Sequence, residues 1–430
     1  RDLHGSIHSF PTRRSSDLGT AYGALIIAKV VALAVLGALG AAQRRRVVAR
    51  LREDPRSRQA FAQLVVVELA VMGAAVGIAT ALARTPNPNL DRPPAATIAE
   101  ALTNYPEPAA PTGSSWITMW RWDWLMGTVA VVALALYLGA VVRLHRRGDR
   151  WPLSRTVSWV LGWLVFIWST CGAPGVYGRV SFSWHMTMHM SIAMLVPILL
   201  VLAAPITLVM RVEPSRKDGS YGIREILLGM VHSKYVAFWA NPIVAAINFV
   251  FSMIAFYFTG LFGLALTTHT GHVLMIVHFL LAGYLFAMVL VGPDPGPRKW
   301  APALRLVVLF ATISFHAFFG VALQESDTLL AGDFFGALYL PWIPDPLLDQ
   351  RIGGTIAWGI GDVPSLLLAM MLVWLWVRAD DAEARRHDRQ ADRDHDADLA
   401  AYNARLAQIS ERDAQAKTHG AGMPGGHLEP

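Results

Sequence analysis

The stretch SWHMTMHMSIAMLVPILLVLAAPITL, residues 183–208, decides the fold. It is long enough to cross the hydrocarbon core as a helix, which takes about 20 apolar residues. His185 and His189 within it are one helical turn apart and therefore lie on one face. Pro197 and Pro205 predict a kink or an interfacial end. Because ionisable side chains inside a membrane usually mark a functional site, this segment also indicates where to look for function.

Eight further segments have the same length and apolar character. The predicted spans are 21–42, 63–83, 124–142, 157–173, 184–210, 238–262, 270–291, 304–324 and 355–377. The composition agrees, since 54% of the 430 residues are hydrophobic and only 16% are charged. A soluble protein carries about 25% charged residues. The sequence therefore predicts an all-α polytopic membrane protein with about nine transmembrane helices.

Lys and Arg are distributed unevenly among the connections between these spans. Alternate connections carry twenty on one side of the membrane and five on the other. The positive-inside rule assigns the richer side to the cytoplasm, so we expect the N-terminus outside and the C-terminus in the cytoplasm. The same clusters account for the net charge of +6, and we expect no nucleic acid as a partner.

The chain divides by composition into five parts. Residues 1–18 lack the apolar stretch of a signal peptide, and their run SFPTRRSSDL looks like a translated sequencing adapter. We expect this segment to be foreign and the native chain to continue upstream. Residues 19–90 hold the first two spans, and the Pro-rich 91–115 is typical of a flexible extracytoplasmic linker. Residues 116–378 hold the other seven spans, and 379–430 form a charged, partly helical cytoplasmic tail.

Four ionisable residues on four different spans share one depth in the outer leaflet. Counted at about 1.5 Å per residue from the outer surface, they are His189, His278, His316 and Asp362. Neutral imidazole is the commonest transition-metal ligand, and a carboxylate can bind the metal or fix the tautomer of a ligating histidine. The shared depth therefore predicts a metal site, with His185 one turn nearer the surface.

Sulfur atoms beside the histidine pair indicate which metal this site would take. Met186 and Met190 form an adjacent stripe, and thioethers favour Cu(I). Cys171 is a weaker candidate, because a lone membrane cysteine more often serves packing. His269 and His272, at the mouth of the seventh span, are either entry ligands or solvated residues. The alternative reading is that membrane histidines only hydrogen-bond neighbouring helices and methionines only fill space.

Two further intramembrane charges, Lys29 and Glu68, lie about 10 Å apart in depth, and their role stays open. The chain has no Walker loop, dinucleotide fingerprint, HExxH motif or nucleophile elbow. We therefore expect a protein that is not an enzyme.

Several stretches resemble the caa3-type cytochrome c oxidase assembly factor family CtaG, a seven-helix membrane fold. They are 183–208 quoted above, HFLLAGYLFAMVLVGPDP at 278–295, SFHAFFGVAL at 314–323, LPWIPDPLLDQRIGG at 340–354 and AWGIGDVPSLL at 357–367. The resemblance runs from about 116 to 410. Residues 19–90 resemble the C-terminal end of the copper-resistance family CopD, in AYGALIIAKVVALAVLGALGAAQRRR and the helix that follows.

The resemblance implies an assembly factor for haem-copper cytochrome c oxidase in the bacterial plasma membrane. Such a protein would bind copper, as Cu(I), and deliver it to oxidase subunits from the lipid bilayer. A copper transport or resistance permease is one alternative, prompted by the CopD-like part. A haem-binding membrane protein is another, with two histidines on facing helices such as His189 and His278 as ligands.

Overall fold

The computed structural model describes residues 97–215, 223–296, 300–394 and 397–420, together with scattered positions between 24 and 95. The chain divides into two compact units, Arg1–Ala96 and Thr97–Pro430. Lys29 and Glu68 lie outside the described residues, as does most of each of the first two predicted spans. Where the structure describes the chain, its regular structure is entirely helical.

Six helices in the described part are long and apolar enough to cross a membrane, and one bent pair makes a seventh. In chain order they are α1 (Trp124–Arg146), α2 (Leu153–Tyr177), α3 (Phe182–Val212), α4 (Pro242–Tyr257 with Gly260–Thr267), α5 (His269–Val291), α6 (Pro302–Gln324) and α7 (Pro346–Arg393). The all-α membrane fold is thereby confirmed, and each of these helices overlaps one of the last seven predicted spans. The total of nine and the orientation stay predictions.

The helix α3 is the most buried span, and it packs against α2, α5 and α7. Its regular part Phe182–Met190 passes into a π-helical turn, Ser191–Leu195. Pro197 explains this change, because it cannot donate to the carbonyl of Ala193 and its ring would collide with that carbonyl. On α5, a Cβ at Gly283 would lie 1.9 Å from the same oxygen, so only glycine lets the two helices approach this closely.

Near its other end α3 breaks, as the second proline predicts. Ala204 adopts a left-handed conformation with φ of 51°, and Pro205 begins a new helix, Pro205–Val212. Asp294, in the turn after α5, accepts hydrogen bonds from the backbone of Ile206 at 3.1 Å and Thr207 at 2.7 Å. The irregularity predicted for this span is confirmed at both prolines.

The predicted span 238–262 is not one straight helix. It begins after Asn241, whose Oδ1 accepts a hydrogen bond from Ile243 N at 2.9 Å. It then bends by 73° between its two helices. The cause is local, because Thr259 has extended backbone and its Oγ1 caps the second helix by accepting from Leu261 N at 3.3 Å.

Residues 97–123 pack against the end of the bundle that the sequence predicts to be extracytoplasmic, called the outer end below. The helices Ile98–Thr103 and Ser115–Thr118 form this outer cap. The ring of Trp116 stacks on Trp168 with centroids 6.1 Å apart, and Trp168 Nε1 donates to the carbonyl of Trp116 at 3.0 Å. The described part of the predicted linker thus includes the helix Ile98–Thr103, and the aromatic contact of Trp116 lies directly after the linker's end.

The helix that contains α7 runs on to Asp394, and Ala397–Gly420 follows as a further helix. Four apolar side chains at helical spacing on this last helix are all exposed. They are Leu399, Tyr402, Leu406 and Ile409.

Candidate metal centre

A carboxylate from α7 holds the start of α3, which carries the histidine pair. Asp349 Oδ2 accepts hydrogen bonds from Phe182 N at 2.6 Å, Ser181 Oγ at 3.0 Å and Ser183 N at 3.4 Å. The first N–H groups of a helix have no partner within the helix, and the helix dipole favours negative charge there. The carboxylate accepts from these N–H groups and supplies the negative charge. The position of His185 therefore depends on a residue that is far away in the sequence.

His185 has the surroundings of a ligating histidine. Its side chain is fully buried, and Nδ1 lies 3.3 Å from the carbonyl oxygen of Gly178. When Nδ1–H donates to that oxygen, Nε2 carries the lone pair, and Nε2 has no hydrogen-bond partner among the described residues. Metal-ligating histidines usually donate their other ring N–H to a carbonyl or carboxylate in this way.

Three candidate donors converge on Tyr257, the last residue before the bend in α4. Its ring centroid lies 6.1 Å from that of His185 and 5.5 Å from that of His189, and its hydroxyl lies 4.0 Å from Met186 Sδ. All four side chains are buried. No sequence pattern marks Tyr257 as part of a site, because a single tyrosine in a Phe-rich span carries no distinguishing signal. The bend in the helix is what places it here.

His316 on α6 is the second buried imidazole with a free nitrogen. It is 4% exposed, and its Nε2 has no hydrogen-bond partner within the described chain. The ring packs against the backbone of α7 at Gly361, where a Cβ would lie 2.7 Å from its Cε1. With Met194 it lines a cavity of about 10 Å³, roughly the space of one water molecule.

Five imidazoles, from the mouth of α5 to the interior, lie near enough to influence one another electrostatically. The exposed His269 interacts with the buried His272, which interacts with His185. His189 in turn interacts with both His185 and His316. The structure thus brings the pair on α3 close to histidines from two other spans.

The remaining predicted ligands lie elsewhere in the bundle. His278 and Asp362 are exposed, although His278 still interacts electrostatically with His189. Cys171 Sγ accepts a hydrogen bond from Asp123 N at 3.4 Å, at the start of α1. Met190 is buried in α3. Within the described ranges, no three side chains from among His, Cys, Asp and Glu are close enough to enclose a metal ion.

Arg179 lies beside the outer cap, near Arg121, whose guanidinium is 4.9 Å from the centre of the Tyr105 ring. The Arg179 guanidinium lies 4.2 Å from the centre of the Tyr105 ring and 3.9 Å from Asp123 Oδ2. Burial lowers the pKa of Arg179, while Tyr105 and Asp123 raise it, and the group stays charged at neutral pH. It interacts electrostatically with His272. In the sequence, Arg179 could have been recognised because it is the one basic residue of the connection 174–183.

Comparison with known proteins gives two family matches. Residues 135–379 match the model described as cytochrome c oxidase caa3 assembly factor, and residues 10–82 match the model described as copper resistance protein D. Uncharacterized proteins of Mycobacterium bovis and Mycobacterium tuberculosis are each 39% identical over 313 residues, which is 72% of this chain and 47% of theirs. The chain thus spans about half the length of these curated relatives. No solved structure matches it significantly.

Proposed function

Because the chain belongs to the family of caa3-type cytochrome c oxidase assembly factors, we propose that it binds Cu(I) at the outer end of its helix bundle and delivers it to cytochrome c oxidase. It is a multi-pass membrane protein, so the metal would pass to the oxidase subunits within the bilayer. The match to a copper-resistance family over residues 10–82 supports copper as the cargo.

The free Nε2 of the fully buried His185 is the observation that carries the proposal. A buried polar atom without a partner costs about 1–3 kcal/mol, so such an atom calls for a reason. The 3.3 Å contact from Nδ1 to the Gly178 carbonyl orients the imidazole and leaves Nε2 ready to bind a cation. His316 repeats the pattern with its own free Nε2.

The sulfur atoms beside the pair favour the reduced form of copper. Met186 is fully buried, and its Sδ contacts the Tyr257 hydroxyl at 4.0 Å. Imidazole and thioether together suit Cu(I), and the aromatic walls around the site keep water away from it. We propose His185, His189 and Met186 as the first ligands, with Met190, buried one turn further along α3, as a secondary candidate.

The row of imidazoles offers a route for the metal between the surface and the interior. His269 is exposed and His272 is 5% exposed, so they would exchange the ion between the outer surface and the α3 pair. His316, which lies within electrostatic range of His189, would be the next ligand. His278 and Asp362, which are exposed, would then bind copper at the bundle surface, where an oxidase subunit could reach them.

The test is a Cu(I) competition titration on the purified full chain, with metal analysis and an absorbance spectrum. The double variant His185→Ala with His189→Ala should lose the bound copper. His145→Ala is the matched control, because this exposed histidine, at the end of α1, bonds the Val141 carbonyl at 2.9 Å and should leave binding unchanged.

Unchanged copper stoichiometry in a folded double variant would contradict the proposal. A Soret band in the absorbance spectrum of the protein as purified would indicate that the site binds haem and not copper. Copper flux across proteoliposomes would instead favour a transporter.

A further inference from the structure

A pocket opens among the helix ends at the opposite end of the bundle, which the positive-inside rule assigns to the cytoplasm. Its volume is about 530 Å³. We call it the basic-end pocket, and its walls include Arg155, Ser158, Leu202, Arg305, Met371 and Trp374. These residues come from α2, α3, α6 and α7, so the pocket lies between spans and not within one loop.

Arg305 is an unusual residue for this position, because it is charged, buried and incompletely bonded. Only 7% of it is exposed, and one guanidinium nitrogen, Nη1, donates to the carbonyl of Leu290 at 2.5 Å. Its Nε has no hydrogen-bond partner in the part of the chain that the structure describes. Buried charges are normally paired, so the free donor predicts an anion that binds in the pocket.

The other polar groups of the pocket agree with an anionic ligand. Arg155 lies half-buried on the wall, with its guanidinium 4.9 Å from the centre of the Trp151 ring. Arg378, which is outside the lining, lies over Trp374 of the wall, 4.1 Å from that ring's centre. No carboxylate is among the described residues that line the pocket. Two arginines therefore face one cavity, and the described lining supplies no carboxylate to pair with them.

The apolar half of the lining indicates what carries the anion. The apolar walls are formed by Leu202, Met371 and Trp374. A hydrated inorganic ion would make no favourable contact with these side chains. A tryptophan with an arginine stacked on it is typical of the interface between headgroups and acyl chains. Basic pockets between spans on the cytoplasmic side suit anionic lipid headgroups.

We propose that the basic-end pocket binds the phosphate of an anionic phospholipid, with Arg305 and Arg155 as donors and the acyl chains against Leu202 and Met371. Guanidinium groups recognise phosphate through paired N–H donors, so both arginines can bind one headgroup. The site lies at the far end of the bundle from the histidines and does not depend on copper.

The test compares lipid binding to the detergent-purified full chain by native mass spectrometry and thermal unfolding. Phosphatidylglycerol and cardiolipin should bind and raise Tm, and phosphatidylcholine should not. Arg305→Gln and Arg155→Gln should each lower the preference for anionic lipid by about tenfold or more, as expected for the loss of a charge-assisted hydrogen bond. Arg143→Gln is the matched control, because Arg143 pairs with Glu213 at 2.8 Å.

Several outcomes would overturn the proposal. One is equal binding of anionic and zwitterionic lipid by the wild type, and another is a preference that survives in both pocket variants. If inorganic phosphate alone raises Tm of the protein in phosphatidylcholine, the pocket binds a soluble anion and not a phospholipid. If Arg305→Gln fails to fold, Arg155→Gln decides, because Arg155 lies at the pocket's rim.

Discussion

Replacing Asp349 by alanine should loosen the outer start of α3 and the imidazole that follows it. The carboxylate accepts from two backbone N–H groups and one hydroxyl, at 2.6 to 3.4 Å. Losing a helix cap costs about 0.5–2 kcal/mol. A buried donor left without a partner costs about 1–3 kcal/mol more. These groups are only partly buried, so water can replace some of the lost hydrogen bonds. We therefore expect the free energy of unfolding to fall by about 2–4 kcal/mol.

The assay is thermal unfolding of the purified protein, followed by a Cu(I) titration at a temperature where the variant is folded. Asp349→Ala should lower both Tm and copper affinity, and Asp349→Asn should fall between it and the wild type because it keeps one acceptor oxygen. Asp327→Ala is the control, since that side chain is 91% exposed and its ion pair with Arg351 is worth at most about 1 kcal/mol. Equal Tm and equal copper affinity for Asp349→Ala and Asp327→Ala would contradict the role of the Asp349 carboxylate.

Two close helix approaches give further predictions. Gly283→Ala should destabilise the protein by about 2–3 kcal/mol, because its Cβ would meet the Ala193 carbonyl and backbone cannot move aside. Gly139→Ala, with nothing within 4 Å, should be neutral or slightly stabilising, and equal Tm values for the two variants would refute the argument. Gly361→Ala should cost about 1–2 kcal/mol and weaken copper binding, because it displaces the His316 ring. Wild-type copper affinity in that variant would remove His316 from the proposed ligands.

The membrane spans could be predicted from the sequence because length and hydropathy are local properties. The break after Leu202 was equally visible, since Pro205 cannot continue the preceding hydrogen bonds. The bend in α4 was not, because Thr259 caps a helix only through a backbone conformation that the composition does not reveal. The contact of Asp349 with the start of α3 is a long-range contact, which no local pattern contains.

Depth alone could not decide which predicted ligands face one another. It gives the position of a residue along a helix but not the face on which the residue lies. On α5 the buried positions recur every three or four residues and include His272 and Phe279, whereas His278 lies between them and is exposed. On α7, likewise, Gly361 is buried and its neighbour Asp362 is exposed. The spacing of the apolar residues on α5 places His272 on the buried face, which favours it over His278 as a metal ligand.

X-ray absorption at the copper edge of the Cu(I)-loaded full chain tests the central claim most directly. The proposed ligands predict imidazole scattering from His185 and His189 together with one sulfur from Met186. The sulfur contribution should disappear in Met186→Leu while the imidazole contribution stays. An all-sulfur shell, or a sulfur signal that survives in Met186→Leu, would contradict the proposed site.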